Sequence, residues 1–194
     1  MSPAATSAGV RPDRAAAVRA AMRSLVARNG FHGASMGAVA KEAGVGTGTA
    51  YVHYGSKDEL VIAAYLESKE RLGAAAIAAV EGGDPPAERF QALWKGVYRH
   101  LAAEVDEARF LIQVDGSPYS AVAHEAAMAR QDDPLVLAAS EPEMARTLEP
   151  LPLEVLYEIG LAPAVRLAAR EVSLSDRDLN RVAKACWRAV ARPG

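Results

Sequence analysis

A chain of 194 residues, 51% hydrophobic and 24% charged, is long enough to bury a sizeable core as one domain or two small ones. Its single cysteine excludes an internal disulfide, and no run approaches the ~20 apolar residues of a membrane span, so with no secretory signal at the start a cytoplasmic protein without a membrane partner is expected. The net charge of −2 would argue against nucleic acid if spread evenly, but residues 1–60 carry +3 and the remainder −5, which favours a DNA-facing N-terminal part.

Residues 1–9 are small and polar without periodicity and read as a flexible tail. From near Arg11, with Pro12 suited to a first helical turn, Val18, Met22, Leu25 and Val26 recur at helical spacing until Asn29-Gly30 stops the run. Ser35 can cap a short second helix in which Met36, Val39, Ala40 and Ala43 share a face, and Gly44 supplies the left-handed residue that ends it. A third helix spans roughly Gly46 to Tyr54. Ser56 to Glu59 forms a capping box for a long fourth helix reaching about Val80, where Gly82-Gly83-Asp84-Pro85-Pro86 breaks the pattern. Phe90, Leu93, Trp94, Val97, Tyr98 and Leu101 mark a fifth helix, Asp106 to Val114 a sixth, and further tracts follow Pro118 and Pro134, with a break or kink at Glu141-Pro142. One helix from Pro152 to Arg170 and another from the cap Ser175 to just before Pro193 close an all-α chain of about nine helices. Alanine abundance and the near absence of strand-like runs agree with this class.

The stretch AVAKEAGVGTGTAYVHYGSKDEL is laid out as helix, tight glycine turn, helix and a capped third helix, the arrangement of a helix-turn-helix and its support. Ala43-Gly44-Val45, Gly48-Thr49, Tyr51, His53-Tyr54 and Ser56 to Leu60 follow in an order that resembles the tetracycline-repressor (TetR) family pattern. Two positions depart from it: Gly46 stands where a capping serine is frequent, and Ala50 where a bulkier leucine usually packs inward. The resemblance implies a helix-turn-helix domain over residues 10–60, an effector-binding and dimerisation domain over 61–192, and a repressor released from DNA by a small molecule. Major-groove reading needs small or polar residues at the start of the recognition helix, which Thr47, Gly48 and Thr49 provide. Ser35, Tyr51, His53 and Lys57 can supply phosphate contacts around the rim, while Tyr54 is expected in the core.

Large residues on successive helices, namely Phe90, Trp94, Tyr98, Phe110, Gln113, Tyr119, His124, Met128 and Tyr157, suit the walls and polar anchors of a pocket for a small, largely apolar effector; the same aromatics would also suit a solid core. Gly160, Ala164 and Ala168 recur every four residues and permit close helix approach, and Leu179, Val182, Cys186 and Val190 form an apolar stripe on the last helix. In a family member these two helices would form a homodimer interface able to address pseudo-palindromic duplex DNA. A C-terminal region that only dimerises is the alternative. An enzyme is the rival from another class, and its chemistry is missing: none of His32, His53, His100 and His124 has a glutamate three residues away, and Gly44-x-Gly46-x-Gly48 follows a helix and lacks a Walker lysine. Asp132-Asp133 reads as a solvated turn, and no cofactor or metal is expected.

Overall fold

The computed structural model describes residues 13–80, 82–130 and 132–193; the tail expected over 1–9 and the helix start at Arg11 and Pro12 lie outside them. Twelve helical segments and no strand occur among the described residues: α1 Arg14–Gly33, α2 Met36–Glu42, α3 Thr47–His53, α4 Lys57–Ile77, α5 Pro86–Ala103, α6 Val105–Asp115, α7 Ser120–Met128, α8 Pro134–Ser140, α9 Pro142–Thr147, α10 Leu153–Gly160, α11 Ala162–Ala169 and α12 Asp176–Val190. The excess over nine comes largely from prolines. The single helix expected from Pro152 to Arg170 is two, because Pro163 has no N–H to give the Ile159 carbonyl and its ring opposes the preceding turn.

Capping residues set most boundaries. Asp13 Oδ1 accepts the Ala15 and Ala16 amides at 3.0 and 3.2 Å to open α1, and Gly30 at φ 68° interrupts its last turn. The Oγ atoms of Ser35, Ser56 and Ser175 accept from the third residue of α2, α4 and α12 at 3.2, 3.1 and 3.2 Å. At the end of α2, Val45 N–H bonds the Ala40 carbonyl and Gly44 N–H that of Lys41, a closure that needs the left-handed Gly44 (φ 66°).

Helices α1 to α3 form a head and α4 to α12 a body around one continuous apolar core that runs through both. The boundary expected at residue 60 falls inside the unbroken α4, which packs on α1 of the head and on α5, α7 and α8 of the body. Helices α4 and α5 approach closely: a Cβ on Gly96 would lie 2.9 Å from the Ala75 carbonyl oxygen. In the body, α5 and α6 lie against α11, and α12 covers α5. A bridge pairing Leu148 with Ala191 ties the end of α12 to the loop before α10.

Candidate DNA interface and ligand cavity

In the head, α3 divides cleanly between two faces. Ala50 is fully buried, so the small residue where a leucine is usual still seats the helix, and Tyr54, its C-cap, is buried as expected. Thr47, Gly48, Tyr51 and Val52 face solvent as two i, i+4 pairs, with Thr49 half-buried and His53 exposed. Tyr51 is 51% and Val52 83% exposed, and nothing in the sequence around Val52 marks it as outward-facing. Ser35 is exposed but engaged as the α2 cap. Lys57 is half-buried and donates its ammonium to the Phe31 carbonyl, tying the start of α4 to the end of α1.

Tyr54 is also held from behind. Its hydroxyl accepts from Arg19 Nη1 at 2.6 Å, Arg19 Nη2 donates to Glu67 Oε1 at 2.7 Å, and Arg23, buried in α1, donates to Glu67 Oε2. Burial alone would raise the Glu67 carboxyl, but the hydrogen bonds from Arg19 and Arg23 outweigh it and hold its pKa below the usual glutamate range. The recognition helix is thereby positioned by a charged clamp between α1 and α4.

Beside the apolar core they share, the head and body are joined by a seam of polar contacts. Ser24 Oγ donates to Asp106 at 2.6 Å, Gln113 Nε2 to the Ala27 carbonyl at 3.3 Å, and the Tyr119 hydroxyl to Asp58 at 2.7 Å, while the Tyr119 ring lies 4.9 Å from that of Phe31. Gln113 and Tyr119, expected in the pocket, therefore belong to this seam instead.

A cavity of about 170 Å³ does lie in the body, between α4, α5 and α7 to α10, with Val190 of α12 contributing. Of the residues expected to line it, Phe90, His124, Met128 and Tyr157 do; Trp94, Tyr98 and Phe110 do not. Trp94 and Phe110 are fully buried, Trp94 stacks on Tyr98 with ring centres 6.0 Å apart, and the Tyr98 hydroxyl is spent on the Val172 carbonyl. These three are core, and α6 contributes no wall. Tyr65 and Lys69 on α4 line the cavity and were missed. His124 Nε2 bonds Asp115 at 3.1 Å, and burial pushes the Asp115 carboxyl up against the downward pull of that contact.

The residues assigned to a subunit interface need the same correction. Gly160, Ala164, Ala168, Leu179, Cys186 and Val190 are all buried within the subunit, and only Val182 is half-exposed. The small-residue stripe does permit close approach, but to the chain's own helices: a Cβ on Gly160 would stand 3.2 Å from Val190 and 3.3 Å from Phe90. Cys186 is a core thiol whose pKa burial pushes up, partly offset by a contact from Trp94. Outward on these helices instead are Val155 and Ile159 of α10, and Ala185 and Ala189 of α12.

Residues 18–64 match the model of bacterial regulatory proteins of the tetR family, and residues 85–191 that of the tetracyclin repressor-like C-terminal domain. The chain belongs to the TetR family. An HTH-type transcriptional regulator of Haemophilus influenzae is 26% identical over 191 residues, covering 94% of this chain and 98% of that one. The regulator UidR of Escherichia coli is 41% identical over 61 residues, 31% of each chain. Crystal structures of TetR-family regulators from Haemophilus influenzae (TM-score 0.78, 25% identity, 93% and 97% coverage) and Marinobacter aquaeolei (0.76, 22%, 93% and 96%) share the fold. As a TetR-family protein, the chain is a DNA-binding transcriptional regulator and not an enzyme. No helix among its described residues is long and apolar enough to cross a membrane.

Proposed function

We propose that this regulator acts in the cytoplasm as a homodimeric repressor of a pseudo-palindromic operator and is released by a small molecule held in the body cavity. The outward face of α3 carries the reading: a seven-residue helix, anchored by Ala50 and Tyr54, presents Thr47, Gly48, Tyr51 and Val52 to solvent. Thr47 and Gly48 sit at the end that enters a major groove first, and Val52 offers a methyl surface suited to thymine C5. Ser35, Thr49, Tyr51, His53 and Lys57 are the remaining DNA contacts, with Lys57 reaching a phosphate by leaving the Phe31 carbonyl. Thr47→Ala and Val52→Ala are expected to change base preference at single operator positions, each costing about 1–3 kcal/mol of discrimination. Lys57→Ala should instead weaken all sequences alike and flatten the salt slope. Uniform loss from all three, measured by anisotropy on a panel of operator variants, would remove α3 as the reading element.

Exposed Val155 and Ile159 on α10, together with Ala185 and Ala189 on the adjoining α12, support a two-fold interface on the outer surface of these helices. Induction has a physical route along two helices. Helix α4 carries Lys57 and Asp58 at the head and Tyr65 and Lys69 at the cavity; α7 carries His124 and Met128 at the cavity and follows directly on Tyr119, bonded to Asp58. Removing that one bond by Tyr119→Phe should leave operator affinity of the free protein within about threefold while cutting the ligand-induced loss several-fold, a change of about 1 kcal/mol in coupling. An unchanged ligand effect in the variant would take the seam out of the mechanism.

A further inference from the structure

Lys69 lines the cavity without a counter-ion. It lies on α4 one turn after Tyr65, its ammonium stands 5.0 Å from the centre of the Tyr157 ring, and it has no ion pair or hydrogen bond among the described residues. Burying a cation is costly unless it is paired. Burial accordingly pushes the Lys69 pKa down, against the opposing influence of Asp133 and Asp115. Neither acid is bonded to it: Asp133 Oδ1 instead accepts the Leu135 and Val136 amides at 2.9 and 3.3 Å to cap α8, and Asp115 Oδ1 is bonded to His124. Glu154, the other acid on the wall, is exposed at the first turn of α10.

Besides His124, which is bonded to Asp115, the cavity is also lined by Tyr65 and Tyr157, whose hydroxyls have no hydrogen-bond partner among the described residues. Burial raises the pKa of both, so each remains an O–H donor at physiological pH. One cation and two neutral donors line the same cavity, whose wall, apart from His124, Asp133 and Glu154, is apolar and includes Phe90, Leu93, Leu135 and Met144. A cationic ligand would meet Lys69 already seated on the aromatic face. A dianion such as a phosphate monoester would bring one negative charge more than the single lysine balances, beside Asp133.

We infer that the effector is a monocarboxylate with an apolar body, its carboxylate accepting from Lys69 Nζ and the Tyr65 and Tyr157 hydroxyls and its hydrocarbon lying against Phe90, Leu93 and Met144. This inference rests on the cavity being the effector site. Hydrogen bonds to charged groups give the carboxylate about a tenfold advantage or more over a neutral ligand of the same length.

The test is calorimetric titration of the full-length protein with octanoate, 1-octanol and octylamine, using wild type, Lys69→Met and Lys69→Arg. Octanoate is expected to bind wild type at least about tenfold more tightly than octanol, with octylamine the weakest. Lys69→Met should abolish the preference for octanoate while sparing octanol, Lys69→Arg should retain most of it, and the melting temperature of ligand-free Lys69→Met should be unchanged or higher, because a half-buried cation without a partner has been removed. If that variant melts lower, Tyr157→Phe decides the matter: it must weaken octanoate by about threefold and leave octanol unchanged. Equal binding of octanoate and octanol to wild type, or a preference that survives Lys69→Met, overturns the carboxylate inference and leaves the cavity as an apolar effector site. Binding of none of the three overturns both.

Discussion

Glutamate at both Val155 and Ile159 is expected to convert the regulator to a folded monomer and lower operator affinity by about 100-fold or more, since a dimer gains its second half-site as an intramolecular event. Both side chains are exposed on one face of α10, so charge there costs the isolated subunit little. Across a two-fold interface each change occurs twice and sets like charges against each other in a desolvated patch. Light scattering and circular dichroism on the same sample read assembly and fold, and anisotropy reads operator binding. The contrasting control is Leu179→Asp, which places a charge in the subunit's own core and should abolish folding rather than assembly. A double glutamate variant that remains dimeric would move the interface elsewhere.

Glu67→Gln is expected to destabilise the protein by about 2–4 kcal/mol, somewhat less than breaking a fully buried pair because the carboxylate keeps some contact with water. Arg23 lies within the core and would be left without its counter-charge, while Arg19 would lose the bond that aims it at Tyr54. The recognition helix ends on Tyr54, so operator affinity should fall as well, even at temperatures where the variant is folded. The pH dependence has a fixed sign. The folded-state pKa of Glu67 is depressed, so its contribution is fully present above the ordinary glutamate value and is lost as pH falls through the lowered folded value. Urea melts of wild type and Glu67→Gln should therefore converge as the solution is acidified, and a constant gap down to low pH would show that the carboxylate charge is not what stabilises the clamp.

Helix ends were legible in the sequence because their determinants are local. Ser35, Gly44, Ser56 and Ser175 act within a few residues of themselves, and the structure uses each of them as a cap or turn. Side-chain destinations were less legible, since spacing defines a face without naming what covers it. The Gly160, Ala164, Ala168 stripe signalled close approach correctly, but the approaching elements are α5, α6 and α12 of the same subunit. Phe90 and Trp94 sit one turn apart on α5, yet the first reaches the cavity and the second is fully enclosed against Tyr98 and Cys186.

Lys69 escaped notice for a related reason. The run Glu67-Ser68-Lys69-Glu70-Arg71 reads as a solvated helix face, whereas Glu67 lies in the clamp, Ser68 is buried, Lys69 faces the cavity and Arg71 reaches buried Glu107 at 3.2 Å. The available signal was its position four residues after Tyr65 on a helix that both domains share. Gln113 and Tyr119 were recognised as significant polar groups, but only the fold shows that they bond the head.

Selection of duplex DNA from a random-sequence pool by the full-length protein, with the selected sites titrated against salt, tests the central reading most directly. The result expected is a pseudo-palindrome whose half-sites are centred one helical turn, about 34 Å, or a multiple of it apart, bound by a dimer with affinity that falls steeply as salt rises. Failure to enrich any motif, or enrichment of a single asymmetric site bound by one subunit, would contradict it.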